Sequence, residues 1–385
     1  MNKLPAGWEI KKLKDICTIQ DGIHKTPKYT SKGIKFVSVE NINDLYNSNK
    51  FISEEDYNKM YKIKAKKNDI FMTRIGDIGT PAILNKDEKL AYYVTLCLFT
   101  NIDEEVFNKY LYYAIQSNYF KKELYYRTLH VAFPKKINLG DIGDCKFILP
   151  PLDEQKRIAS VLSKIDAYLE NTIKLIEEKE RFKRGIAKKL LTCKEDENIP
   201  EARFKGFEDE WKTKTLENIC KNIKTGKLNA NAMEKDGQYR FYTCAKDYYK
   251  INTYAFDGEA ILISGNGAHV GYVHYYNGKF NAYQRTYVLM DFTENILFIK
   301  YYLDIHLKYK INIENNKGNV PYIVLNTIKD MEIKFPSLEE QEKIGGYLSL
   351  LDEEIDNLKK QKELIKEIKR GAMQKLLSGE VRLLE

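Results

Sequence analysis

The stretch PPLDEQKRIASVLSKIDAYLENTIKLIEEKERFKRGIAKKLL, Pro150 to Leu191, returns without a gap as PSLEEQEKIGGYLSLLDEEIDNLKKQKELIKEIKRGAMQKLL, Pro336 to Leu377, at an offset of 186 residues. Leu152 falls on Leu338, Gln155 on Gln341, Asp166 on Asp352, Arg184-Gly185 on Arg370-Gly371, and Leu190-Leu191 on Leu376-Leu377. Within the first copy Ile158, Leu162, Ile165, Leu169, Thr172, Ile176, Lys179, Lys183, Ile186 and Leu190 follow one another in alternating steps of four and three. The second copy repeats those steps through Ile344, Leu348, Leu351, Ile355, Leu358, Lys362, Ile365, Lys369, Ala372 and Leu376. This is a heptad seam, and it predicts one long helix in each copy. About 40 residues at 1.5 Å each give a rod of roughly 60 Å, too long to lie inside one compact domain. Such a rod needs a partner, and the other copy is available. The competing reading of a charged heptad helix is a solvated spacer.

The seam carries two irregularities. Lys179, Lys183, Lys362 and Lys369 occupy positions that are otherwise apolar, and polar seam residues fix register at a cost in stability. Gly185 and Gly371 fall at the same place in both helices, where each costs about 1 kcal/mol, and predict a close backbone approach. The first helix also has a flanking row, Val161, Tyr168, Leu175 and Phe182, which the second matches only at Tyr347 and Ile368. That row predicts a second buried face on the first helix, a candidate docking surface.

Outside the helices the repetition is looser. WEIKKLKDIC at 8 to 17 returns as WKTKTLENIC at 211 to 220, an offset of 203 against 186 for the helices, so the second intervening module is 17 residues shorter. The first module reads as strands around glycine turns (IKFVSVENI, NDIFMTRIGDIGTPAIL, AYYVTLCLFTNI) and one helix, EEVFNKYLYYAIQSNYFKKELYY; the second answers with comparable segments. Each closes on a strand that runs into a proline and the long helix. Ser337 and Glu340 fit a capping box. The polar stretch TCKEDENIPEARFKGFEDE reads as a linker. The organisation expected is a module over 1–151, a helix over 152–193, a linker over 194–210, a module over 211–337 and a helix over 338–379. In fold class this is α+β: two similar mixed α/β modules joined by two long antiparallel helices in a coiled coil, with pseudo-two-fold symmetry.

At 385 residues with a net charge of +8 and 28 tyrosines, the composition permits nucleic-acid binding without demanding it. The start MNKLPAGWEIKKL lacks the apolar run of a signal peptide, and no stretch is apolar enough to cross a membrane. The six cysteines form no CxxC pair, which fits reduced thiols and predicts a cytoplasmic protein. No catalytic constellation stands out. GNGAHVG (Gly265–Gly271) and RIGDIG (Arg74–Gly79) read as hairpin turns, since neither opens a dinucleotide-binding unit. His269 and His274 have no metal-ligand spacing, and Asp209, Glu210 and Lys212 lie in the linker. The chain is therefore expected to be non-catalytic, with neither metal nor cofactor of its own.

What remains is loops that mix cations, aromatics and amides. In the first module they hold His24, Lys25, Lys28, Tyr29, Lys32, Arg74, Lys121, Lys122, Arg127, His130, Lys135 and Lys136. In the second they hold Lys224, Lys227, Asn229, Asn231, Lys246, Tyr248, Tyr249, Asn266, His269, Gln284, Arg285, Asn316, Lys317 and Asn319. Cations seat a protein on phosphates, while Arg, Asn and Gln pair with guanine and adenine edges. For any one of these residues taken singly, solvated surface is the competing reading.

Taken together, the Trp-led modules (Trp8, Trp211), the PPLxEQxxIAxxLxxID helix starts and the linker IPEARFKGFEDEW resemble the specificity subunits of type I restriction-modification enzymes over nearly the whole chain. The resemblance implies two target recognition domains, each reading one half of a split, asymmetric target in double-stranded DNA. It implies helices that set the spacing and dock two methyltransferase subunits, which would bind S-adenosylmethionine; a translocating restriction subunit can join them. The rival class is a coiled-coil adaptor that holds two protein partners and reads no DNA.

Overall fold

The computed structural model describes residues 4–194, 197–314 and 322–383. Both heptad stretches are helical, Leu152–Leu191 and Leu338–Ser378. The chain divides into two compact units that cut each long helix: residues up to Thr172 together with those from Gln361 onward, and Ile173–Lys360.

In the first unit, strand Glu9–Lys12 runs antiparallel to Lys146–Leu149, which delivers Pro150 and the first long helix. A four-stranded antiparallel sheet has the order Thr18–Asp21, Leu96–Thr100, Ile70–Ile75, Asp77–Ile83. A separate three-stranded sheet holds Phe51–Ile52, Ile34–Val37 and Leu90–Tyr92. The core gathers Trp8, Leu13, Ile70, Met72, Phe99, Tyr110, Phe120 and Phe147 against Ile158 and Leu162 of the first long helix and Leu376 and Leu377 of the second. Fully burying side chains of this size stabilises by about 1.5–3 kcal/mol each.

The second unit repeats this plan. Lys212–Thr215 pairs with Glu332–Phe335 ahead of Pro336. Its main sheet has six strands, ordered Cys220–Thr225, Thr286–Phe292, Phe256–Ser264, Val273–Ala282, Tyr239–Tyr242, Tyr249–Ile251. Val273–Ala282 is one continuous strand, antiparallel to Phe256–Ser264 and then parallel to Tyr239–Tyr242. Its counterpart in the first unit is interrupted between Ile83 and Leu90 by the polar run Asn85 to Lys89, which splits the sheet in two. The core packs Trp211, Leu216, Ile261, Ile263, Leu289, Phe298 and Ile333 with Leu190, Leu191, Ile344 and Leu348 of the long helices.

Inside each unit the helix segments run antiparallel, as their ion pairs show. In the first, Asp166 meets Lys369 at 2.6 Å and Glu154 meets Arg382 at 2.6 Å. In the second, Lys179 meets Glu354 at 2.7 Å and Lys183 meets Asp352. Three of the four lysines that interrupt the seam, Lys179, Lys183 and Lys369, thus pair with carboxylates of the opposite segment, Lys183 and Lys369 being repeat equivalents facing the equivalent aspartates, whereas Lys362 pairs with Glu363 of its own helix at 3.4 Å. Asp352 also accepts from the Tyr301 hydroxyl at 2.7 Å, as Asp166 does from Tyr113 at 2.8 Å.

The structure corrects three sequence readings. The single helix expected over 104–126 is two, Asn108–Ile115 and Asn118–Arg127, because the Ser117 hydroxyl accepts the Phe120 N–H and restarts the helix. Gly185 and Gly371 make no close approach within the chain, since nothing lies within 4 Å of where a Cβ would stand at either. Glu340 closes no capping box; its buried carboxylate takes Nε and one terminal nitrogen of Arg203 at 2.9 and 2.8 Å. The linker is therefore anchored, with Phe204 packed edge-on against Tyr347 at 5.6 Å.

Candidate nucleic-acid interface

In the second unit the loop residues converge at one end of the six-stranded sheet. The turn before Thr286–Phe292 is fixed by backbone bonds: the Gln284 N–H donates to Leu228 O at 2.9 Å and the Gly265 N–H to Arg285 O at 2.9 Å. These bonds bring three strand ends together and leave the side chains of Gln284 and Arg285 exposed. The Gln284 amide donates to Asn229 Oδ1 at 3.0 Å, so the two amides orient one another. Thr225, Gly265, Asn266, Gln284, Arg285, Tyr287, Tyr322 and Ile323 line a concavity of about 600 Å³. An arginine and two amides around an open concavity can present paired donors and acceptors to a base edge.

Lys224 and Lys227, on and just after the first strand of this sheet, and Asn231 in the following turn are exposed. Cys244 Sγ lies 3.4 Å from Arg285 O, which places the segment carrying Lys246, Tyr248 and Tyr249 beside the same turn. There the structure adds a residue that sequence reasoning passed over. The Arg240 guanidinium lies between Tyr248 and Tyr276, at 4.2 and 4.3 Å from their ring centroids. The alternation in YRFY could have flagged it, but its stacking partners are distant in sequence. His269 and His274 are both half-buried, His269 at the hairpin turn and His274 with Nε2 3.0 Å from Ala245 O; partial burial holds the His274 pKa below the usual value. Asn316, Lys317 and Asn319 lie outside the described residues.

The equivalent end of the first unit has the same backbone frame and other side chains. The Ile23–Tyr93 parallel bridge matches Leu228–Tyr283, and the Ile75–Lys136 bridge matches Asn266–Tyr322. His24, Lys25, Lys28, Tyr29 and Lys32 follow the edge strand and are exposed; His24 shares a 2.7 Å hydrogen bond with Asp21 Oδ2, and Tyr29 rests edge-on against Phe36 at 5.6 Å. Lys135 and Lys136 are exposed on a segment held by the Gly76 N–H donating to Lys135 O at 2.8 Å. Arg74 does not join them. It is 7% exposed, and its guanidinium donates to Ile137 O at 3.2 Å and Val94 O at 3.0 Å, so it pins loops rather than facing outward.

The remaining candidates stand apart. Lys121 and Lys122 are exposed on helix Asn118–Arg127, but Lys121 lines a groove with Lys366, Lys369 and Arg370 of the long helix. Arg127 is bound to Glu123 at 2.9 Å, and His130 Nε2 lies 2.8 Å from Tyr125 O. In the docking row Val161 is partly buried on its own core, whereas Tyr168, Leu175 and Phe182 are exposed. Phe182 and Gly185 share a shallow groove with Arg181, Ile186 and Lys189. Among the described residues no group of three or more His, Cys, Asp or Glu is placed to hold a metal, and no helix is long and apolar enough to cross a membrane.

Comparison with known proteins matches residues 5–178 and 208–367 to the family described as type I restriction modification DNA specificity domain. The EcoDI specificity subunit of a type I restriction enzyme from Escherichia coli is 40% identical over 170 residues, 44% of this chain and 37% of that protein. A candidate MjaX specificity subunit from Methanocaldococcus jannaschii is 27% identical over an alignment covering 100% of this chain and 96% of its own length. Among solved structures, the type I restriction-modification S subunit of M. genitalium superposes with a TM-score of 0.66 at 19% identity, covering 98% of this chain and 97% of that one. The fold is thus shared at full length, while the alignment to the E. coli protein spans little more than a third of that subunit.

Proposed function

The chain belongs to the type I restriction-modification DNA specificity domain family and carries that domain twice, and we propose that it works as a non-catalytic DNA-reading subunit, each unit reading one half of an asymmetric bipartite site in double-stranded DNA. The observation that carries this reading is one backbone frame used twice with different side chains. Around Gln284, Arg285 and Asn266 the second unit offers amides and a guanidinium; around His24, Lys135 and Lys136 the first offers an imidazole and amines. Unlike loops on like frames favour two unlike half-sites. Cations on both units supply sequence-independent attraction to phosphates, and the exposed amides and Arg285 supply base discrimination.

In this reading the antiparallel helices set the spacing between half-sites, on the order of one DNA turn, about 34 Å. The exposed row Tyr168, Leu175 and Phe182, with Val161 at its inner end, docks a methyltransferase subunit; two such subunits, and a translocating restriction subunit, complete the assembly in the cytoplasm. S-adenosylmethionine is held by the methyltransferase partner, and this chain's residues bind and position DNA.

The test is selection of duplexes from a randomised pool by the full chain with its methyltransferase subunit. A two-part, asymmetric motif with an unread gap is expected. Gln284→Ala should relax one half only, costing about 1–3 kcal/mol of discrimination there, and removal of one heptad from each helix should change the gap. No motif, together with little salt dependence of binding, would favour the adaptor.

A further inference from the structure

The loop Leu129–Lys136 in the first unit ends in two large apolar side chains that touch almost nothing. Val131 and Phe133 are fully exposed. A polar loop tip would need no explanation, but two bulky side chains held out in water mark a surface that meets something. The loop is not a loose end. Its neck is closed by the Leu129 N–H donating to Lys136 O at 2.8 Å, and Lys136 is bridged in turn to Ile75. Arg74 fixes the departing chain through Ile137 O. This accounts for the buried guanidinium: Arg74 is a positioning residue that plants the loop on the strand end where His24 and Lys135 also stand.

The charge around the tip identifies the partner. From Thr128 to Ile137 there is no acidic residue, and His130, Lys135 and Lys136 are exposed. An apolar point flanked by cations matches the arrangement by which proteins push Phe, Leu or Pro between base steps while lysines hold the neighbouring phosphates. We propose that Phe133, supported by Val131, is a wedge that inserts between base pairs beside the half-site read by the first unit, and that Lys135 and Lys136 grip the flanking phosphates. The wedge rests on the DNA-reading function above and adds to it a deformation component: part of the first unit's preference would be for a base step that unstacks easily, at positions no polar side chain touches.

The experiment uses the full chain with its methyltransferase subunit and the duplex it selects from a randomised pool, labelled at both ends with a fluorescence donor and acceptor. Wild-type protein should raise energy transfer over the free duplex by bending it. Phe133→Ala, at a site too exposed to disturb folding, should bind about tenfold more weakly and abolish that rise, while Phe133→Leu, still an apolar wedge, should keep most of both. Lys135→Ala with Lys136→Ala should lower the salt slope of binding by about 2. Phe133→Ala binding with unchanged affinity and bending would overturn the wedge and leave DNA reading intact. If it bound DNA normally but lost the methyltransferase subunit, the tip would be a protein contact and the proposal equally wrong. Failure of the wild type to select any duplex would remove the DNA-reading function, and the wedge with it.

Discussion

The two long helices begin with the same buried glutamate and satisfy it in different ways. Glu154 accepts from the Trp8 indole N–H at 2.9 Å and from Arg382 at 2.6 and 3.0 Å. Glu340, its repeat equivalent, accepts from Arg203, while Trp211, in the place of Trp8, is buried without a hydrogen-bond partner for its indole N–H. In each unit the arginine follows the C-terminal end of the antiparallel helix, but Arg203 comes from the segment between modules and Arg382 from the end of the chain. The pair at Glu340 is also the deeper one, its side chains 0% and 13% exposed against 2% and 26% at Glu154. Chemistry at the helix start is kept, and its supplier is free to change.

The largest effect therefore belongs to Glu340. Glu340→Ala leaves Arg203 charged and nearly buried, and breaking such a pair costs about 3–5 kcal/mol, read as a fall in the urea midpoint for the second unit. Glu154→Ala should cost less, since Arg382 can turn to water. Equal losses would mean that depth of burial does not distinguish the two clasps.

A smaller effect tests the seam. Burial pushes the Asp352 carboxyl up, but hydrogen bonds from Lys183 and Tyr301 outweigh it and hold its pKa below the usual aspartate range. Glu154 is likewise held low, by Arg382 and Trp8 against burial. A carboxylate with a depressed folded pKa contributes stability that is present above its unfolded value, about pH 4, and is lost as pH falls through the folded value. Lys183→Met should cost roughly 1 kcal/mol at neutral pH, for a pair that is partly open to solvent, and should flatten the acid limb of the stability profile. An acid limb identical to wild type would show that Lys183 does not hold Asp352.

These groups show what could and could not be read from the chain. The heptad steps placed both helices because burial repeats with the helical period, and the polar seam residues marked where register is fixed. Gln155 and Gln341 were visible as repeat matches, yet nothing local discloses that each ties its helix start to a distant loop, Gln155 accepting the Phe107 N–H at 2.8 Å and Gln341 the Asn295 N–H at 3.0 Å. Arg203 and Arg382 were invisible as a pair because they occupy non-equivalent positions. Among the candidate loop residues, residue type alone named Gln284, Arg285 and Asn266, which the structure brings around one concavity, but it also named Arg74, whose burial follows from long-range pairing that no window of sequence contains.

Gly185 and Gly371 give the smallest effect and the one whose sign is most informative. A glycine repeated at the same place in two helices suggests a tight backbone crossing, and a methyl group there should then destabilise. The structure has open space at both, so Gly185→Ala and Gly371→Ala should each stabilise the isolated chain by about 0.5–1 kcal/mol through helix propensity alone, read as a rise in Tm. If the groove of Phe182, Gly185 and Ile186 takes a partner helix closely, Gly185→Ala should at the same time weaken capture of the methyltransferase subunit. A gain in stability with a loss of assembly would place the close approach between chains. Stabilisation without loss of assembly would leave Gly185 outside the docking row, and destabilisation would restore the close contact within the chain.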